Sequence, residues 1–254
     1  MAVQFMRTGQ QGVLLWDTET GVKVGIDLFL TEREDRLVQN VVSAEDLGDV
    51  MCLLGTHDHS DHIDREAWKE IAQRHPQTGF VAPAYFERRL PDELGIGRDR
   101  FLFRNDGMRM ELGPLTIEAV PAAHEFLQRR WDGCYPYLMY ILTLSGVRIC
   151  HMGDTCLYEG IYQKLREKGP FDVLFAPING RDAARLQRGC IGNMTYQEAA
   201  DLTGTLRPGL VVPGHYDMFA DNGEDPELFK AYVEAKYPWQ KVEILAPGQV
   251  YTIA

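Results

Sequence analysis

The sequence predicts a layered α/β fold, in which short buried strands alternate with helices, and three observations support it. Unbroken apolar runs such as Val50–Leu54 read as strands covered on both faces. Helical patterns with recognisable caps lie between several of these runs. Histidine and aspartate residues stand directly after the apolar runs, where open α/β sheets place their ligands. The chain therefore predicts both an architecture and the edge of the sheet that carries a site.

The predicted strands are apolar or alternating runs bounded by turn residues. They lie at residues 12–16, 22–27, 50–54, 80–82, 101–103, 108–112, 115–120, 137–144, 147–152, 172–176, 210–213, 241–245 and 249–253. Ser145-Gly146 is a two-residue hairpin connection between two of them. The charged segment 31–39 reads as an exposed excursion.

The predicted helices are placed by their caps and by proline. Asp64 caps the first, which ends at His75-Pro76. The second runs over 83–90, where Pro91 stops it, and a third spans 158–168. Thr195 and Glu198 form a capping box for the next helix, which runs to about residue 205. The last helix begins at Asp225-Pro226.

Composition narrows the class of protein. The 254 residues are 45% hydrophobic and 25% charged, which suits one globular domain over residues 1–254. The net charge of −11 disfavours a long nucleic acid and favours a small-molecule partner. No apolar run approaches the roughly 20 residues that cross a membrane. Five scattered cysteines and no signal-peptide pattern predict reduced thiols in the cytoplasm. A homo-oligomer remains open.

The densest cluster of potential metal ligands is the segment THDHSDHID at residues 56–64. It holds three of the seven histidines of the chain and follows the strand at 50–54. Its pattern, H-x-H-x-D-H, supplies His57, His59, Asp61 and His62, and imidazole with carboxylate is the ligand set of zinc and similar divalent ions. The alternative, a solvated turn that happens to be rich in His and Asp, is the weaker interpretation.

Three further candidates share one context, the end of an apolar strand. They are His124 in AVPAAH, Asp154 in ICHMGD and His215 in VVPGH. Each residue by itself is a weak signal, because a single histidine at a strand end is more often structural than a ligand. Together with the 57–62 loop they predict a dinuclear site.

These residues resemble the metallo-β-lactamase superfamily, whose fold is an αββα sandwich of two mixed β-sheets flanked by helices. The resemblance extends to the L-ascorbate-6-phosphate lactonase group of metal-dependent hydrolases through 56–64, HMGD at 151–154, Met194-Thr195 and HYD at 215–217. It implies that one metal is held by His57, His59 and His124. It implies a second metal held by Asp61, His62 and His215, with Asp154 as the bridge. Asp27 is expected to support the metal loop.

The implied activity is hydrolysis by water that two divalent ions share, with zinc and manganese as the candidate metals. The hydroxide formed would open the lactone of a small, possibly phosphorylated, sugar acid. Asp61 is a candidate proton shuttle as well as a ligand. His151 is a candidate general acid, although a buried histidine satisfied by the backbone is the favoured interpretation.

The substrate contacts are predicted from an arginine-rich segment at 179–189 in an otherwise acidic chain. Arginine binds phosphate and carboxylate bidentately. Arg181, Asn179 and Tyr216 are the predicted substrate-binding residues, and a solvated segment that balances surface acid is the alternative for the arginines. Two other functions stay open: a metal-dependent phosphodiesterase or phosphonate-ester hydrolase, and a metal-binding module without turnover.

Overall fold

A computed structural model describes residues 2–253 as two facing β-sheets with helices on their outer faces. The strands are β1 (Val3–Gly9), β2 (Gly12–Asp17), β3 (Lys23–Ile26), β4 (Val50–Leu54), β5 (Gly79–Pro83), β6 (Phe101–Arg104), β7 (Arg109–Leu112), β8 (Leu115–Pro121), β9 (Leu138–Leu144), β10 (Val147–His151), β11 (Val173–Pro177), β12 (Leu210–Gly214) and β13 (Val250–Ile253). The helices are α1 (Arg65–Arg74), α2 (Leu90–Leu94), α3 (Ile161–Lys168), α4 (Ala183–Gln187), α5 (Tyr196–Leu206) and α6 (Pro226–Lys236).

Both sheets are mixed. The first has the order β13-β1-β2-β3-β4-β5-β6, antiparallel through β3 and parallel from β3 to β6. The second has the order β12-β11-β10-β9-β8-β7, in which β10, β11 and β12 run parallel. The parallel strands of each sheet end at one edge, so the loops that follow them can meet there.

Three apolar layers hold the sandwich together. The central layer packs side chains such as Phe5, Leu54 and Phe175 between the sheets. A second layer packs α1 and α2 against the first sheet, with Trp68 at its centre. The third packs α3, α5 and α6 against the second sheet, with Phe229 fully buried. The predicted αββα arrangement is therefore confirmed.

Local chemistry explains the element boundaries that the sequence predicted well. The Asp64 carboxylate accepts the Ala67 N–H at the start of α1, and Thr195 and Glu198 form both bonds of the capping box of α5. The β9–β10 hairpin turns through Ser145 and Gly146, which both have positive φ, as a twisted two-residue hairpin requires.

Two predictions about secondary structure were wrong, and two elements were missed. The range 83–90 is not one α-helix: β5 continues through Pro83, a 3-10 turn covers Ala84–Phe86, and Pro91 lies in the first turn of α2, where a missing N–H costs nothing. Residues 241–245 form only one β-bridge, between Val211 and Val242. Strand β1 was not anticipated, nor was α4 within the arginine-rich segment. Within residues 2–253, no helix is both long and apolar enough to cross a membrane.

Candidate metal centre

The seven candidate ligands all lie in loops that leave strand ends at one edge of the sandwich. The loop at 57–62 follows β4, and it is closed by hydrogen bonds from the His62 and Ile63 N–H groups to the His59 carbonyl. His124 follows β8, Asp154 follows β10 and His215 follows β12. The fold thus brings residues from four distant parts of the sequence to one place.

The first ligand group consists of His57, His59, His124 and Asp154, whose donor atoms lie within 4.8 Å of one another. His57 Nε2 lies 2.9 Å from His59 Nδ1. Asp154 Oδ2 lies 4.0 Å from His57 Nε2 and 3.8 Å from His124 Nε2. These atoms face a common point, as the ligands of one cation do.

The second ligand group consists of Asp61, His62 and His215. Asp61 Oδ2 lies 3.6 Å from His62 Nε2 and 3.7 Å from His215 Nε2. Asp154 also approaches this group, with Oδ1 at 3.3 Å from His62 Nε2 and Oδ2 at 3.1 Å from His215 Nε2. The Asp154 carboxylate therefore stands between the two groups and can serve both.

Two buried polar atoms in this cluster fit a bound cation. His62 Nε2 and Asp154 Oδ1 are both buried and have no hydrogen-bond partner among the described residues. An unsatisfied buried acceptor is costly, and a metal ion satisfies it. The donor set of imidazoles and carboxylates is also the chemistry that divalent transition metals prefer. The described residues therefore fit a metal centre.

The electrostatics of the two groups differ. Burial lowers the pKa of His57 well below its usual value and lowers that of His124 to about 4, so both imidazoles are neutral and ready to ligate. Burial opposes charge on His62 as well, but the Asp154, Asp27 and Asp61 carboxylates outweigh it and raise its pKa to about 10. These carboxylates favour a positive charge at this point, and a metal cation that displaces the proton from His62 would supply it. Burial opposes ionisation of Asp154, yet His215 and His62 hold its pKa well below its ordinary range.

Asp27 supports the centre through His62 and Thr56 and is not itself among the candidate ligands, as the sequence analysis expected. Its Oδ2 lies 2.7 Å from His62 Nδ1 and accepts the Thr56 hydroxyl at 2.7 Å, while Oδ1 accepts the Thr56 N–H at 2.8 Å. A carboxylate on the far ring nitrogen fixes the orientation of a ligand imidazole. Asp27 therefore orients His62 and, through Thr56, the start of the loop.

Sequence reasoning missed Gln10, which lies in the turn between β1 and β2. Its Nε2 donates to Asp61 Oδ2 at 2.8 Å and lies 3.2 Å from His215 Nε2. A glutamine in a polar turn has no distinguishing pattern, and strand β1 itself was not anticipated. No property of the sequence alone pointed to this residue.

His151 lies away from the cleft. It is fully buried, with Nε2 at 2.8 Å from the Gln11 carbonyl and Nδ1 at 3.9 Å from Asp27 Oδ2. Burial lowers its pKa. This placement matches the backbone-satisfied histidine of the favoured interpretation, and a general acid would need access to substrate that His151 does not have here.

A cleft with a volume of about 410 Å³ opens above the ligands. Its floor includes Asp61, His124, Asp154 and His215, and its walls include Arg33, Asp35, Arg188, Phe219, Asp221 and Asn222. Arg33 pairs with Asp35 at 2.7 Å, and Arg188 pairs with Asp221 at 3.4 Å. Such exposed ion pairs are weak, so an anion in the cleft can compete for these guanidinium groups.

The three predicted substrate-binding residues do not line this cleft. Arg181 is held by Glu198 in a bidentate pair at 2.6 and 2.8 Å, because the capping glutamate of α5 lies beside it. Asn179 is buried, and its side-chain amide donates to Asn222 Oδ1. Tyr216 accepts a hydrogen bond from Arg7 at 2.8 Å. In this structure, Arg33 and Arg188 occupy the position that sequence reasoning gave to Arg181.

Comparison with known proteins gives the family. The family described as "Beta-lactamase superfamily domain" matches residues 15–216, which contain all seven candidate ligands. The chain belongs to the β-lactamase superfamily. Membership explains why ligands follow the ends of β4, β8, β10 and β12, since this edge of the sandwich is where the two sheets of the fold bring their loops together.

Individual relatives within the superfamily are similar over nearly their whole lengths. A UPF0173 metal-dependent hydrolase of Pyrococcus horikoshii is 30% identical over 237 residues, which cover 91% of this chain and 92% of the relative. The solved structure of Igni18, a metallo hydrolase from Ignicoccus hospitalis, superimposes with a TM-score of 0.78 at 26% identity and covers 100% of this chain and 99% of that one. An isothiocyanate hydrolase from Delia radicum gut bacteria has a TM-score of 0.74 at 16% identity, covering 98% of each chain, which shows a shared fold.

Proposed function

We propose that this protein is a metal-dependent hydrolase that opens the lactone of a small anionic sugar acid at a dinuclear metal centre. One observation carries the proposal: two ligand groups meet around Asp154 on the floor of a cleft that has arginines in its wall. Its relatives include proteins named as metal-dependent hydrolases. The resemblance of the 56–64, 151–154 and 215–217 segments to the lactonase group supports the choice of a lactone.

The distances between the candidate donor atoms support the ligand assignment. His57, His59 and His124 would hold one divalent ion, Asp61, His62 and His215 the other, and Asp154 would bridge them. Zinc and manganese both suit this donor set. Bound there, the ions supply an activated water molecule and polarise the carbonyl that it attacks.

The residues of the chain supply positioning and proton transfer. Asp61 is the ligand carboxylate nearer to solvent, with its side chain 16% exposed against 3% for Asp154. It can therefore accept a proton in the cleft and pass it to the leaving alkoxide. Asp154 is shielded from solvent, so its role is to fix the two ligand groups relative to each other.

The cleft also supports a small anionic substrate. Arg33 and Arg188 can each bind a phosphate or carboxylate through two parallel hydrogen bonds. A volume of about 410 Å³ fits a phosphorylated sugar acid and is at the small end of ligand sites. The net charge of −11 works against long nucleic acids as partners. Cytoplasmic location and homo-oligomer formation stay predictions of the sequence.

The arginines in the cleft wall equally suit a phosphodiester or phosphonate ester, so this remains the second candidate function. A panel of sugar lactones, phosphodiesters and phosphonate esters, assayed on protein reconstituted with zinc or manganese, separates the two. We expect lactone opening that is lost with EDTA and restored by metal. Turnover of phosphodiesters alone would replace the lactonase proposal, and bound metal without any turnover would support a non-catalytic module.

The role of the arginines can be tested with a matched pair of variants. Arg188→Gln is expected to raise KM about tenfold for a phosphorylated lactone and to leave an unphosphorylated lactone unaffected, because the lost bidentate contact is specific to the anion. Arg181→Gln, in an arginine that Glu198 already holds, is expected to change neither. A higher KM in Arg181→Gln and an unchanged KM in Arg188→Gln would instead support Arg181 as the residue that binds the phosphate.

A further inference from the structure

Gln10 has an unusual position for a turn residue. It lies between β1 and β2, is 1% exposed, and has a φ of 53°, in the left-handed region that glutamine rarely adopts. Residues held in this region are found where the surrounding structure over-determines them, often at functional sites. Gly9 beside it also has a positive φ, of 101°, so the feature to explain is why the second residue of this turn is a glutamine.

Three hydrogen bonds fix the Gln10 backbone. Its N–H donates to Asp217 Oδ1 at 2.8 Å, and its carbonyl accepts the His215 N–H at 2.8 Å and Arg7 Nη2 at 3.2 Å. Arg7 is itself buried and pairs with Asp217 at 2.8 Å. This network ties the β1–β2 turn to the loop that carries His215, so the Gln10 side chain is held against the second ligand group.

The side chain ends at two candidate ligand atoms. Its Nε2 lies 2.8 Å from Asp61 Oδ2 and 3.2 Å from His215 Nε2, which are the same atoms that approach each other in the second ligand group. The other end of the amide, Oε1, is buried and has no hydrogen-bond partner among residues 2–253. A buried carbonyl oxygen without a partner is costly.

A cation between Asp61 and His215 would favour the opposite orientation of this amide, with the nitrogen in the place of the unpartnered oxygen. Turning the carboxamide by 180° about its last bond exchanges the nitrogen and the oxygen, which have nearly the same size and shape. The oxygen then faces the lone pairs of Asp61 and His215, an arrangement that is favourable only with a positive charge between them. Side-chain carbonyl oxygens are ordinary ligands of divalent cations such as manganese and magnesium.

We propose that Gln10 is a further ligand residue of the second metal group, and that its carboxamide oxygen binds the cation beside Asp61, His62 and His215. This rests on the dinuclear centre of the proposed function. The residue lies outside the 15–216 region that the family match covers. With Gln10, the second ion would have five side-chain ligand residues, counting Asp154. The first ion would have four, so the two sites would differ in coordination.

The competing role for Gln10 is that of a hydrogen-bond donor that orients Asp61. Two variants separate the roles. Gln10→Leu removes both ends of the amide at similar size. Gln10→Glu supplies an oxygen ligand but removes the donor and places a second carboxylate against Asp61. A ligand role predicts that the glutamate variant keeps the second metal, and a donor role predicts that it loses it.

The experiment measures the affinity of each site for Zn²⁺ and Co²⁺ by competition with a chromophoric chelator, together with the absorption spectrum of the Co²⁺ protein. We expect Gln10→Leu to weaken the second metal at least about tenfold, with the first unchanged, and to intensify the Co²⁺ bands as the coordination number falls. Gln10→Glu should bind the second metal as tightly as the unchanged protein or more tightly. Gln240→Leu, which removes a buried glutamine that bonds to the Pro208 and Lys241 carbonyls, is the control.

Each outcome decides the matter. Equal second-site affinity in Gln10→Leu and the unchanged protein would overturn the inference, and loss of the second metal in Gln10→Glu would make Gln10 a positioning residue. Thermal unfolding of the metal-free variants checks that they fold, and the glutamate variant keeps the test decisive if the leucine variant does not. Failure of the unchanged protein to bind any metal would instead refute the proposed function.

Discussion

The two ligand groups of the candidate metal centre are built in different ways. The first group, His57, His59 and His124, packs ring against ring, and the Tyr137 ring lies 5.3 to 6.5 Å from all three imidazoles. The second group is held by polar contacts from distant parts of the chain: Asp27 on His62, and Gln10 on Asp61 and His215. Thr56 Oγ1 also lies 3.1 Å from His57 Nδ1. The first group therefore depends mainly on ring packing, with one hydroxyl contact, and the second on buried charge.

This difference indicates how each group responds to change. Packing contacts are spread over many atoms, so no single one of them dominates. Buried charged hydrogen bonds are few, and each is strong in a low dielectric, so the loss of one partner leaves the other uncompensated. The second group should therefore be more sensitive to single substitutions, even when the substituted residue touches no ligand.

The largest effect is expected where the groups meet. Asp154→Ala should abolish hydrolysis and lower the affinity for both metals by at least about 100-fold, because this one carboxylate serves both ligand groups. Even residues that only hydrogen-bond to a ligand change metal affinity by about 10–100-fold. Metal content by elemental analysis and activity on the same samples measure this. A variant that keeps both metals and its activity would show that the ligand assignment is wrong.

Asp27→Asn should separate the groups. Asparagine tolerates the positive φ of 48° at this position but has only one acceptor oxygen for His62 and Thr56. The second metal should weaken by about 10–100-fold and the first much less, as measured by chelator competition. Asp58→Asn is the control, since Asp58 lies in the 57–62 loop that carries the ligands but pairs with Arg65 and Arg89. Equal weakening of both metals would remove the distinction between the groups.

A smaller effect is expected from the Arg7–Asp217 pair, which holds the Gln10 backbone in place. Asp217→Asn leaves the buried Arg7 without its charged partner and should lower the free energy of unfolding by about 1–3 kcal/mol, with the second metal weakened about tenfold. Denaturant unfolding of the metal-free protein measures the first quantity. Asp49→Asn, in an exposed pair with Lys23, should cost no more than about 1 kcal/mol. A cost no larger than that of the control would show that the network is not stabilising.

The smallest effect is expected in the first group. Tyr137→Leu removes an aromatic neighbour of three imidazoles but leaves apolar bulk in its place, so the first metal should weaken only about two- to tenfold. The second metal should be unchanged by the same chelator competition. A loss of 100-fold or more at the first site would mean that Tyr137 contributes a polar contact, and that this group also depends on one.

Local spacing made most of the centre predictable. The H-x-H-x-D-H loop is contiguous, and His124, Asp154 and His215 each follow an apolar run that the sequence shows. The residues that line the cleft wall were not predictable in the same way. The sequence analysis chose Arg181 from the arginine-rich segment because it stands beside Asn179 and Gly180, and in the structure Arg181 pairs with Glu198, the capping residue of α5. Arg33, in a segment that reads only as exposed and charged, reaches the cleft wall.

The sequence by itself determined a layered α/β fold, the edge that carries the site and the candidate ligands that lie there, because strand ends and their loops are local features; the αββα sandwich was implied by the family resemblance. Only the tertiary structure decided which side chains support them. Gln10 meets Asp61 across 51 positions and Arg7 meets Asp217 across 210. The first contact is set by the order of the strands within the first sheet, and the second by how the two sheets pack. Neither a glutamine in a turn nor an arginine in a strand carries a trace of its partner.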